Sequence, residues 1–112
     1  MSSALYHLVE PSSWAEWQRA ACYQPPSLAR EGFIHFSRRE QVEATAARFY
    51  SSCESLLVVR VDESRLLAKL RFELADGQRF PHLYGALNLD AVGAVAEMHR
   101  DQDGRYRLPA RF

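Results

Sequence analysis

The sequence predicts an α+β fold, and three observations carry that prediction. Strand-like runs outnumber helical ones, the two main helical patterns both fall in the N-terminal half, and no regular strand–helix–strand repeat connects them. The 112 residues read as one domain, 1–112, long enough to bury a core without disulfides or metal. An apolar fraction of 47% and a charged fraction of 25% are ordinary for a soluble globular chain. Fourteen basic residues balance fourteen acidic ones, which argues against general nucleic-acid binding and against a membrane-surface role. Met1 to Leu5 lacks the basic start and apolar core of a signal peptide, and no apolar run could span a bilayer. Cys22 and Cys53 lie in unrelated surroundings and read as reduced thiols, so a cytoplasmic location is expected.

Each element has a local reason. Leu5-Tyr6-His7-Leu8-Val9 is a first strand, apolar on both faces apart from His7, and Pro11 closes it. Ser13 and Glu16 make a capping box for a helix over about Trp14–Cys22, with Trp14, Trp17 and Ala21 at helical spacing. Tyr23 to Ser27 is an extended connector because of Pro25 and Pro26, and Ser27 to Glu31 forms one turn before Gly32. Phe33, Ile34 and Phe36 make a short buried strand carrying His35 near its end. Ser37 with Glu40 is a second capping box, starting a helix from Arg38 to about Tyr50 whose apolar face is Val42, Thr45, Ala46 and Phe49.

Leu56 to Val61 is apolar enough for a central strand covered on both faces. Asp62 to Leu66 reads as a short turn or helical hook, and Leu70 to Leu74 alternates as a half-exposed strand should. Asp76-Gly77 centres a tight turn. Phe80 to Gly85 is expected to be a loop, dense in functional side chains. A strand over about Ala91–Met98 follows, then a hairpin over His99–Leu108 turning at Asp103-Gly104.

Chemistry concentrates on histidine. His7, His35 and His82 each lie in apolar or aromatic surroundings, whereas His99 reads as an ordinary surface residue. A buried imidazole needs a partner and a settled protonation state, so one buried histidine is most simply a bonded core residue. Three in a small domain point instead to one polar pocket, with His7, His35 and His82 as the candidate catalytic residues. Ser37 and Arg38 stand at a helix start, where free N–H groups attract anions. Tyr84 offers a ring and a hydroxyl beside Gly85, which would let a ligand approach closely. Arg30, Arg38 and Arg39 could meet phosphates. Glu10, Glu31 and Glu73 flank strands and read as solvated carboxylates. A three-histidine metal site is the alternative, weakened by spacings of 28 and 47 residues and by the lack of any local H-x-x-x-H or C-x-x-C element.

The run Leu5–Val9 with Trp14, Tyr23–Leu28 with Glu31–Ser37, and Phe80–Gly85 with Leu89–Val92 resembles the bacterial domain of unknown function 952 family, over about residues 5–98. The hairpin at 99–112 lies outside those motifs. The resemblance implies an ADP-ribosyltransferase-like fold, a small split β-sheet domain whose active members bind nicotinamide adenine dinucleotide (NAD) in a cleft. It implies that His7 contacts a ribose and that His35 is similar to the second histidine of the tRNA 2′-phosphotransferase-like branch. The implied ligand is a nucleotide contacted by His7, His35, Ser37, Arg38 and Tyr84. ADP-ribosyl transfer or NAD glycohydrolysis is the implied chemistry. Many active relatives have glycine after the first-strand histidine; Leu8 stands there here, which favours a non-catalytic ligand-sensing or interaction domain as the second reading.

Overall fold

The computed structural model describes residues 3–112. Two three-stranded antiparallel sheets organise the chain. The first has the order β1 (Ala4–Val9), β4 (Leu57–Asp62), β8 (Val92–Glu97). The second has the order β3 (Ile34–His35), β6 (Gln78–Tyr84), β5 (Lys69–Ala75). A single backbone bridge ties them together: Tyr6 and Ser37 exchange N–H···O bonds of 2.9 and 2.7 Å. Two small ribbons complete the pairing, β2 (Cys22–Tyr23) with β7 (Leu87–Asn88) and β9 (His99–Arg100) with β10 (Tyr106–Arg107).

The period-2 alternation of β1, with a packed layer on each side, explains why Leu5 to Val9 are all buried. Tyr6 and Leu8 point to one side, where they pack with Val58, Met98, Tyr106 and with Val42 and Ala46 of helix α3 (Val42–Phe49). Leu5 and Val9 point to the other, against Val59, Val61, Ile34 and Leu83. The first sheet is therefore a middle layer, with α3 on one face and the second sheet on the other. Ile34 and Leu83 are wholly buried, each worth about 1.5–3 kcal/mol of transfer free energy. Central β4 matches the sequence expectation, as do the Asp76-Gly77 turn, the hook at Glu63–Arg65 and the terminal hairpin.

Four expectations are corrected. The first helix is α1, Pro11–Ala15, with Pro11 in its first turn and Glu10 at its N-cap. Beyond it the chain turns by i→i+3 bonds from Trp17 to Trp14 and Ala20 to Trp17, because Cys22–Tyr23 is drawn into pairing with Leu87–Asn88. Helix α2 (Pro26–Glu31) ends as expected at left-handed Gly32, φ 85°. The second capping box is displaced by one residue. Arg38 is the N-cap, its N–H donates 2.9 Å to Gln41 Oε1, and the helix opens as a 3₁₀ turn, Arg39–Gln41. Phe49 ends α3 and is 62% exposed, outside the apolar face assigned to it. Finally, Phe80–Tyr84 is strand, not loop. Pro81 is tolerated because its carbonyl points towards Phe36 N, just past the end of β3, so its missing N–H falls where that ladder has stopped.

Candidate functional site

The second sheet has one face in the core and one facing out. Ile34, Leu83, Leu70 and Phe72 take the inner side, so the alternation sends His35, His82, Tyr84, Lys69, Arg71 and Glu73 to the other. Register then sets neighbours: His35 is opposite His82, His82 is opposite Arg71, and Tyr84 is opposite Lys69. The imidazoles of His35 and His82 lie 5.4 Å apart, edge to face. Phe33 stacks on His82 at 4.1 Å and reaches His35 at 4.8 Å and Tyr84 at 5.3 Å. The Arg71 guanidinium lies 5.4 Å over the Tyr84 ring.

Each of these histidines is held by a carboxylate. His35 Nε2 is 2.7 Å from Glu31 Oε2, an i,i+4 pair across the α2 C-terminus. His82 Nδ1 is 2.9 Å from Glu73 Oε1, and the Tyr84 hydroxyl donates to the same oxygen at 2.5 Å. A carboxylate accepts, so the bonded nitrogen carries the proton; Nδ1 of His35 and Nε2 of His82 are left over. The bond from His35 holds Glu31 below the usual carboxylate range. Bonds from Tyr84 and then His82 do the same for Glu73, and the Glu73 contact in turn raises the Tyr84 phenol. The two imidazoles differ in access: the His35 side chain is 52% exposed, that of His82 9%.

His7 is elsewhere. It sits on the inner face of β1, with Nδ1 2.7 Å from the His35 carbonyl and Nε2 2.8 Å from the Tyr23 hydroxyl. A carbonyl only accepts, so Nδ1–H donates to it and the neutral ring accepts from Tyr23 at Nε2. Burial lowers its pKa from 6.5 to about 4 and raises that of Tyr23. Trp14 and Trp17 pack edge-on against Tyr23, in the core role the sequence suggested. With both nitrogens engaged, His7 supports the site from behind by fixing the backbone under His35.

The sequence-derived candidates therefore separate. His35, His82 and Tyr84 share one face, and His7 reaches it only through a carbonyl. Ser37 is buried in the inter-sheet bridge, its hydroxyl 3.5 Å from Thr45 Oγ1. Arg38 stacks on Phe72 and lines a different, open cavity of about 490 Å³ with Ser3, Tyr6, Arg39 and Glu63. The three-histidine metal alternative is corrected: among the described residues no group of three or more His, Cys, Asp or Glu could hold a metal ion. Gly85 is not an opening for a ligand either. A Cβ there would meet Ala68 Cβ at 2.7 Å, so this glycine serves backbone packing. Sequence reading undervalued Glu31 and Glu73 and passed over Phe33 and Arg71. The i,i+4 spacing of Glu31 and His35, and the alternation of Arg71 with Glu73, were the available signals.

These motifs and this fold define a family. The chain belongs to the family described as a protein of unknown function, DUF952, which matches residues 8–95. It is similar to the crystal structure of protein CC0527 from Caulobacter crescentus, at 28% identity over 94% of each chain with a TM-score of 0.84. The solution NMR structure of CC0527 is 29% identical over 91% of this chain and 90% of that one, with a TM-score of 0.78. No curated protein matches. The likeness supports the mixed α+β architecture. No helix among the described residues is long and apolar enough to cross a membrane.

Proposed function

We propose that the outer face of the second sheet binds a nucleotide-type ligand, one that combines a planar ring with phosphate and hydroxyl groups. The observation that carries this reading is the convergence of His35, His82 and Tyr84 beside the half-buried Phe33 and the cations Arg71 and Lys69. Rings recognise a base or nicotinamide, and guanidinium recognises phosphate. Within the ADP-ribosyltransferase-like reading, NAD is the ligand class. His35 would bond a ribose or phosphate, Tyr84 would stack on a ring, and His7 would orient the His35 backbone without touching the sugar. Any transfer or glycohydrolysis would then draw on positioning and on stabilising positive charge on the sugar. Free thiols at Cys22 and Cys53 favour a cytoplasmic setting for that ligand.

A non-catalytic sensing domain is the second reading. Leu8, standing where many active relatives have glycine after the first-strand histidine, favours it. NMR titration of labelled protein with NAD and ADP-ribose tests the first reading. Saturable shifts are expected at His35, His82 and Tyr84; no shifts at millimolar ligand would overturn it.

A further inference from the structure

We propose that His35 and His82 form a general base and general acid that hydrolyse a cyclic phosphodiester of a mononucleotide, an activity resting on the nucleotide reading of the same face. Two independent His–carboxylate pairs meet there, 2.7 Å for Glu31–His35 and 2.9 Å for Glu73–His82, on rings 5.4 Å apart. A carboxylate that fixes one nitrogen of an imidazole sets its tautomer and aims the other nitrogen. The aimed atoms are Nδ1 of His35 and Nε2 of His82. Among the described residues, no buried side-chain polar atom lacks a hydrogen-bond partner. Nε2 of His82 makes no such bond, so it reaches solvent despite the burial of the ring. Two hydrogen bonds of about 3 Å each would bridge the rings to one tetrahedral centre.

The chemistry needs such a pair. Attack of water on a 2′,3′-cyclic phosphate makes a P–O bond to water and breaks the P–O2′ bond. One proton must leave the water and another must reach the departing O2′. His35, the more open ring, takes the first at Nδ1; His82, entering as the imidazolium backed by ionised Glu73, gives the second from Nε2. The product is a 3′-phosphomonoester, and the two imidazoles exchange protons with solvent to reset. Arg71, opposite His82 and without an ion pair among the described residues, is the cation that would turn from the Tyr84 ring to the non-bridging oxygens. The charged and titratable groups facing the pair are Glu31, Glu73, Arg71, Lys69 and Tyr84. A net charge of zero argues for a mononucleotide and not a long polyanion.

The test uses 2′,3′-cyclic AMP as probe, followed by ³¹P NMR from pH 5 to 9, with amide shifts recorded on the same samples. The expected result is conversion to the 3′-monophosphate with a bell-shaped pH profile. His35→Ala and His82→Ala should each lower the rate by about 10²–10⁴-fold, with unchanged amide dispersion for the exposed His35 variant. Shifts at this face without turnover would overturn the acid–base pair and leave the binding reading standing. Neither shifts nor turnover would overturn both. Turnover that survives in folded His35→Ala would overturn the proposal by placing the chemistry elsewhere.

Discussion

His7 on the first sheet and His35 on the second are joined by a single 2.7 Å hydrogen bond, yet they live under opposite physics. His7 is buried, bonded at both nitrogens and held neutral; His35 is half exposed and bonded at one. The comparison separates what an imidazole does for a fold from what it can offer a ligand. An imidazole whose nitrogens are both satisfied by protein can stabilise but has no atom left for chemistry. One satisfied by a carboxylate on a single side is oriented and still has an atom to use.

The largest expected contrast is in stability. His7→Ala leaves a cavity and an unbonded Tyr23 hydroxyl, and should cost about 2–4 kcal/mol. His35→Ala, on the surface, should stay within about 0.5 kcal/mol; urea titration of both variants at pH 7 checks this. The second contrast is in acid. The folded pKa of His7, about 4, lies below its unfolded value of 6.5, so the unfolded chain takes a proton the folded chain refuses. That contribution is complete above pH 6.5 and falls away towards pH 4, by about 3 kcal/mol in all. Glu31 and Glu73, whose pKa values are depressed, add their own losses at lower pH. Denaturation series from pH 7 to 4 should show that slope, and His7→Gln should flatten it.

A further substitution probes the edge of the candidate face. Gly85 has φ 151° and no room for a Cβ against Ala68, so Gly85→Ala should cost about 1–3 kcal/mol, measured by thermal melts. The smallest effect is local. Glu73→Gln should leave the melting temperature nearly unchanged while returning the raised Tyr84 phenol towards its ordinary value, read by NMR titration of the Tyr84 ring.

Much of this was legible in the sequence because it is local. The nearly continuous apolar runs Leu5–Val9 and Leu56–Val61, the Asp76-Gly77 turn and Gly32 at a helix end need only neighbours to be understood. What escaped depends on distant partners. Ser37 looks like an N-cap until Tyr6 pairs with its backbone, which moves the cap to Arg38. Phe80–Tyr84 reads as a loop around Pro81 until β5 and β3 flank it. The helix expected through Cys22 ends early because Leu87–Asn88 claims that strand. The site divided the same way. Three histidines were visible, but whether each faced the core or solvent was fixed by register, which sends His7 inwards and His35 and His82 outwards.

The most direct test of this division is the imidazole ¹⁵N spectrum of the labelled protein at pH 7, recorded before and after adding ADP-ribose. His7 is expected as a neutral Nδ1–H tautomer that the ligand leaves unmoved, while the ring nitrogens of His35 and His82 shift with saturation. A shift centred on the His7 nitrogens, with His35 and His82 unchanged, would contradict it.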